Sequence, residues 1–254
     1  SRHLVLLCEN EEGYHNLIAL VSKAWVEGFY NKPRVDLELL RQHHQGLIAL
    51  SACLAGEIPR ALSRGDYPGA KEAALQYRGI FGPENFFLEL QDHSLPEQKR
   101  INPQIIRLSR ETGIPLVCTN DCHYIAREDS KMHKVLLCIQ TGRTVEDEDT
   151  LEFGSDEFYL KTEEQMRALF PDAPEAVDNT AKIAQRCRVE LEFGQTKYPA
   201  FTTPDGTGNQ EFFQRLCWEG LARRYGENPS QALRDRLSYE MGVITQMGYV
   251  NYFL

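Results

Sequence analysis

Four short apolar runs, each followed by a longer stretch with helical spacing, constrain the first half of this chain more than any other feature. The runs occupy residues 3–8, 47–51, 86–90 and 115–119. Each is too short for a stable helix and is bounded by polar or turn-forming residues, so each is expected to be a strand, the first of them buried. Between them apolar residues recur at helical intervals. Leu17, Leu20, Val21 and Trp25 mark a helix over 13–26, and others are expected from about Ala55, over 68–80 and over 96–111. Alternation of this kind predicts the α/β class, with a parallel sheet covered by helices and either open or closed into a barrel.

Beyond residue 119 a helix is expected over 128–140, and then the rhythm fades. Residues 146–149 form an acidic run that reads as a solvated surface loop. Helices are expected over 163–170 and 175–187, the second opened by acidic residues that suit the helix dipole. A stretch rich in Thr, Pro and Gly over 199–209 reads as a linker, followed by helices over 210–225 and 231–247. Three segments result: 1–198, 199–209 and 210–254. The chain opens directly on a strand and stops in apolar sequence at Leu254, which is expected of a fragment of a longer protein.

Composition limits the function classes. With 42% hydrophobic and 26% charged residues the 254-residue chain resembles an ordinary globular protein. Its net charge of -9 gives no support to a general nucleic-acid-coating role, although a local basic channel stays open. No apolar run approaches the ~18 residues of a membrane span. Seven scattered cysteines, an odd number, suit reduced thiols in a cytoplasmic protein. No phosphate-binding glycine loop, nucleophile elbow or dinucleotide fingerprint is present.

The chemistry concentrates where strands end. Asp121 and His123 follow the fourth run two positions apart, which in extended backbone directs both side chains to one side and Cys122 to the other. Functional groups of parallel sheets gather at the C-terminal ends of strands, a rule that adds Cys53, Glu89, Asp92 and His93. Such a mixed His/Asp/Cys set suits zinc or manganese better than magnesium. Each residue also has a plainer reading. Asp121 could cap a turn, His123 could pack under Tyr124, and Cys53 could be a small buried hydrophobe. Glu89 could face solvent from an edge strand, His93 could lie on the surface, and His43–His44 could cap a helix end. Cys118 and Cys122 could join His123 in a structural zinc site, but no second ligand pair of that spacing exists. His3 lies at the start of its run, against the C-terminal-end rule.

Read together, residues 3–17, the run Gly46-Leu-Ile-Ala-Leu-Ser-Ala-Cys-Leu-Ala-Gly-Glu57, Phe87-Leu-Glu-Leu-Gln-Asp-His93 and Thr119-Asn-Asp-Cys-His-Tyr124 resemble one family in order. It is the alpha subunit of bacterial DNA polymerase III, the C-family replicative polymerase. The resemblance runs the whole length, with Met247-Gly-Tyr-Val-Asn-Tyr-Phe-Leu254 similar to the entry to the palm. It implies a PHP (polymerase and histidinol phosphatase) fold, a distorted β/α barrel incomplete at its N-terminus here, followed by helices leading into a palm domain. It also implies a divalent-metal site, zinc or manganese, to which His3, Cys53, Asp121 and His123 correspond as ligands. Glu89 and His93 fall near that site without matching ligands. The family's opening His-x-His ligands are expected upstream of residue 1, and the polymerase carboxylates beyond residue 254, so no residue here is assigned to nucleotidyl transfer.

For the parent protein the resemblance implies DNA-directed DNA synthesis with magnesium in bacterial cytoplasm. The implied partners are DNA, the sliding clamp and a proofreading or clamp-loader subunit. The PHP part is expected to act as a metal-dependent 3′-to-5′ proofreading exonuclease. The alternative is an inert module that stabilises the polymerase and docks a proofreading subunit; a free-standing phosphatase is disfavoured by the palm-like C-terminus.

Overall fold

The computed structural model describes residues 1–147, 153–194 and 198–254. The expected acidic loop therefore lies partly outside the described residues. The chain divides into two compact units, Ser1–Glu190 and Leu191–Leu254.

Four strands form one sheet in the order β1 (Val5–Cys8), β2 (Leu47–Leu50), β3 (Phe86–Leu90) and β4 (Leu116–Cys118). β2, β3 and β4 run parallel, as the alternation predicts. β1 does not: it pairs antiparallel with β2, Val5 opposite Leu50 and Cys8 opposite Leu47. It is also an edge strand with partly exposed residues rather than the buried strand expected. Two helices, α1 (Glu11–Val26) and α2 (Leu37–Gln42), connect β1 to β2, and an apolar run keeps the same side-chain period whichever way it crosses a sheet, so strand-helix alternation alone does not fix the direction of β1. Among the described residues the sheet is open, not a closed barrel.

Local sequence explains the helix ends. The Asn10 side chain accepts the Gly13 N–H at 3.0 Å to open α1, with Glu11 and Glu12 favouring its dipole. Asp66 does the same for Gly69 at 2.9 Å in α4 (Tyr67–Phe81). Pro96 opens α5 (Pro96–Thr112) and Gly113, in left-handed conformation, closes it. α1 approaches the start of β2 so closely that a Cβ on Gly13 would stand 1.8 Å from the Gly46 carbonyl oxygen.

Side chains alternate between two faces of the sheet. Leu47, Ala49, Phe86, Leu88, Leu90, Leu116 and Cys118 join the main core with α3 (Glu57–Ser63), α4 and α5. Ile48, Leu50, Phe87 and Val117 meet a smaller cluster with Ile183. Ile183 belongs to α8 (Pro174–Arg186), which follows α6 (Ser130–Thr141) and α7 (Glu163–Leu169). The Asn179 amide of α8 donates to the Leu116 carbonyl at 2.8 Å, tying that helix to β4.

The second unit contains α9 (Asn209–Tyr225), α10 (Gln231–Gln246) and α11 (Val250–Phe253), and no strand among its described residues. Asn209 donates to the Phe201 carbonyl at 2.9 Å, fixing the start of α9.

Candidate metal centre

Because β2, β3 and β4 are parallel, the segments leaving them turn over one edge of the sheet. Three of the four described non-glycine residues with left-handed backbone lie there: Ala52 at φ 66°, Ser94 at φ 62° and Asp121 at φ 41°. Left-handed backbone costs an L-residue about 1–2 kcal/mol, and conformations of this kind gather at functional sites. For Asp121 and His123 the turn corrects the expectation of extended geometry, since β4 already ends at Cys118. Asp121 Oδ1 stands 3.7 Å from His123 Nε2. Cys122 directs its thiol away, toward the Tyr159 carbonyl at 3.6 Å.

The reversed β1 brings His3 to the same edge. Its N–H donates to the Ala55 carbonyl at 3.1 Å, and its Nδ1 lies 3.6 Å from Cys53 Sγ. The conflict with the C-terminal-end rule thus disappears, because β1 presents its N-terminal side where its neighbours present their C-terminal ends.

A cleft of about 660 Å³ opens there, lined by His3, Cys53, Glu89, Gln91, Thr119 and Asp121 among others. His123 stands beside it in an aromatic cluster, its ring centroid 5.2 Å from His133 and 4.5 Å from Phe153. Burial, then the neighbouring His123, holds the His133 pKa below its ordinary value.

Glu89 is not the solvent-facing residue of an edge strand. β3 lies between β2 and β4, and Glu89 is only 4% exposed. Its Oε1 accepts from the Thr119 hydroxyl and from Gln91 Nε2, while Oε2 is buried without a hydrogen bond of good geometry. Burial raises its pKa, opposed by the Thr119 hydrogen bond.

His93 is likewise not on the surface, being 1% exposed. The Gln98 amide donates to Nδ1 at 2.9 Å, and Nε2 lies 2.8 Å from the Asn120 carbonyl it therefore donates to. Its ring stacks on Phe158 at 3.9 Å. Both nitrogens are engaged, so His93 is a core histidine that supports the loop. A polar sequence, Gln91-Asp-His-Ser, hid this because the covering residue arrives much later in the chain.

That covering segment was missed by sequence reasoning altogether. His123 N–H donates to the Phe158 carbonyl at 2.8 Å, and Asn120 Nδ2 donates to the carbonyls of Glu157 and Tyr159 at 3.1 and 2.6 Å. Lys161, its side chain 3% exposed, reaches Asn120 Oδ1 at 3.3 Å and the Glu157 carboxylate at 3.1 Å. These long-range bonds fix the turn that carries Asp121. Thr119 and Gln91 were also missed, although each sits two positions from a candidate residue.

The donor set fits a divalent cation in part. Two ligands of one tetrahedral zinc, with Zn–N about 2.0–2.1 Å and Zn–S about 2.3 Å, stand about 3.5 Å apart. The His3–Cys53 separation of 3.6 Å matches this. The Glu89 carboxylate adds a buried, incompletely matched acceptor to the wall. Among the described residues, no three His, Cys, Asp or Glu side chains stand close enough to share one ion. Cys118 is buried in the main core and Cys122 is exposed, and among the described residues the two do not join His123 in a shared site.

Comparison with known proteins agrees with the architecture. The PHP domain family matches residues 1–93, and the bacterial DNA polymerase III alpha NTPase domain family matches residues 211–254. Proteins named DNA polymerase III subunit alpha align along nearly the whole chain. That of Treponema pallidum is 47% identical over 253 residues, covering 99% of this chain and 22% of the relative. That of Thermus aquaticus is 41% identical over 252 residues, covering 97% and 21%. That of Mycobacterium tuberculosis is 38% identical over 256 residues, covering 99% and 22%. The chain spans about a fifth of the length of these relatives. Two family matches in this order, and relatives of one name aligned along nearly all of this chain, show that it belongs to the family of bacterial DNA polymerase III alpha subunits.

Proposed function

We propose that this chain supplies part of the divalent-metal centre of a PHP domain with 3′-to-5′ exonuclease activity, within a replicative DNA polymerase. The observation that carries the reading is the convergence of His3, Cys53 and Asp121 on one cleft from three separate loops, with His123 beside Asp121. His3 and Cys53 would hold one face of an ion, zinc or manganese, and Asp121 with His123 another. A bound ion of this class supplies Lewis acidity toward a phosphoryl oxygen and lowers the pKa of water toward neutrality. The chain's own part is to orient those donors, and to present Arg2 on the cleft wall to a phosphate.

In this reading residues 1–198 are the PHP portion, 199–209 a linker and 210–254 the start of the polymerase palm region. The whole protein would copy DNA with magnesium in bacterial cytoplasm, together with the sliding clamp and clamp-loader or proofreading subunits. No described helix is long and apolar enough to cross a membrane.

The absence of a three-ligand set among the described residues favours a second reading, an inert module that stabilises the polymerase and docks a proofreading subunit. An assay of the full-length polymerase on a primer with a mismatched 3′ end separates the two. The first reading expects chelator-sensitive removal of the terminal nucleotide that is lost in Asp121→Ala. Equal removal by the wild type and the variant, or none by either, would contradict it.

A further inference from the structure

The one carboxylate in the cleft that matches no expected ligand is also the most confined. Glu89 lies next to the C-terminal end of β3, between the two strands whose following loops carry Cys53 and Asp121. Its backbone N–H donates to Ser51 Oγ at 2.8 Å, immediately before the left-handed Ala52 and Cys53. Its Oε1 accepts from Thr119 Oγ1, two residues before Asp121, and from Gln91 Nε2 at 3.1 Å. Gln91 Nε2 also donates to Thr119 Oγ1 at 3.0 Å, closing a three-membered network. One residue thus touches both ligand-bearing segments.

The second carboxylate oxygen is the informative one. Oε2 is buried without a hydrogen bond of good geometry, although the Ala52 backbone N–H also faces this carboxylate. A poorly matched acceptor on a side chain that is 4% exposed is costly. Packing alone does not account for it: an apolar side chain at this position would fill the space without that cost. A cation in the adjoining cleft, lined by Glu89 itself with His3, Cys53 and Asp121, supplies the missing opposite charge.

We propose that Glu89 is a positioning residue of the metal centre. It fixes the approach of Asp121 through Thr119, and on giving up its proton to a bound cation it adds a negative charge to the field that holds the ion. This rests on the reading of the cleft as a divalent-metal site. Groups that orient ligands from behind cost roughly 10–100-fold in metal affinity when lost.

The test compares the full-length polymerase with Glu89→Gln and Glu89→Asp, each stripped with chelator and titrated with zinc against a chromogenic chelator. Glutamine keeps the length and an oxygen for Thr119 but not the charge. We expect Glu89→Gln to bind zinc about 10–100-fold more weakly, Glu89→Asp to recover part of the affinity, and the metal-free Glu89→Gln protein to melt no lower than wild type. Equal zinc affinity in wild type and Glu89→Gln would overturn the role of Glu89 and leave the metal site standing. A lower metal-free melting temperature with unchanged affinity would show that Glu89 serves packing alone. A wild-type protein that binds no zinc or manganese would overturn both readings together.

Discussion

His3 Nδ1 and Cys53 Sγ lie 3.6 Å apart although fifty positions separate them in the chain. The contact exists because β1 runs antiparallel to β2, so that the start of one strand and the exit from the other share an edge. If the pair holds one ion, Cys53→Ser should weaken zinc binding more than manganese binding, since sulfur favours the softer metal. Titration of the metal-free polymerase with each ion measures the difference, and an equal loss for both would argue against a thiolate ligand.

Asp121 and His123 would form the other half of the proposed centre. The double variant Asp121→Ala/His123→Ala should lose bound metal and any intrinsic exonuclease activity while still extending primers. Zinc present at about a hundred times its Kd contributes about 2.7 kcal/mol, which in a domain of this size moves Tm by about 5–10 °C. A thermal melt of the zinc-loaded double variant should therefore fall short of wild type by that amount. Unchanged metal content would remove these two residues from the site.

Ala52 adopts a backbone that glycine tolerates better, at φ 66°. Ala52→Gly relieves strain of about 1–2 kcal/mol and adds an unfolded-state entropy cost of about 0.5–1 kcal/mol. The expected net effect is neutral to about 1.5 kcal/mol stabilising, read from denaturant unfolding. A clear loss of stability would mean the turn is not strained.

Burial raises the Glu89 pKa above the ordinary 4.5 of a free glutamate. The folded state therefore keeps this proton more tightly than the unfolded state. Its contribution to stability is present below the unfolded value and is lost as pH rises through the folded value. In metal-free protein Glu89→Gln should gain stability relative to wild type between pH 5 and pH 8. Melting curves in chelator at the two pH values provide the comparison, and a constant offset would contradict the assignment.

The two cysteines flanking the turn should differ sharply toward thiol reagents. Cys122 is exposed, whereas Cys118 is 2% exposed and burial pushes its thiol up to about 11. Brief alkylation of the native protein near pH 7.5, read by peptide mass spectrometry, should label Cys122 and spare Cys118. Equal labelling would place both thiols on one accessible site.

Periodicity and turn chemistry made most helices and the three parallel strands legible in the sequence. The direction of β1 was not, because an apolar run has the same period whichever way it crosses a sheet. That one reversal decides whether His3 can meet Cys53. The burial of Glu89 and His93 was equally hidden: Glu89 is a lone charged residue in an apolar strand and His93 lies in a polar loop, and both are covered by parts of the chain far away in sequence. Glu89 lies between parallel neighbours, and His93 lies under Phe158. The Asp121-x-His123 pair was visible as chemistry, but its proximity comes from a left-handed turn rather than from strand alternation.

If this edge of the sheet holds a divalent ion, elemental mass spectrometry of the full-length polymerase, purified without added metal, should count it, with the triple variant His3→Ala/Cys53→Ala/Asp121→Ala measured in parallel. The wild type should carry zinc or manganese at one or more equivalents and the variant clearly less. Equal metal content in the two proteins, or none in either, would contradict that expectation.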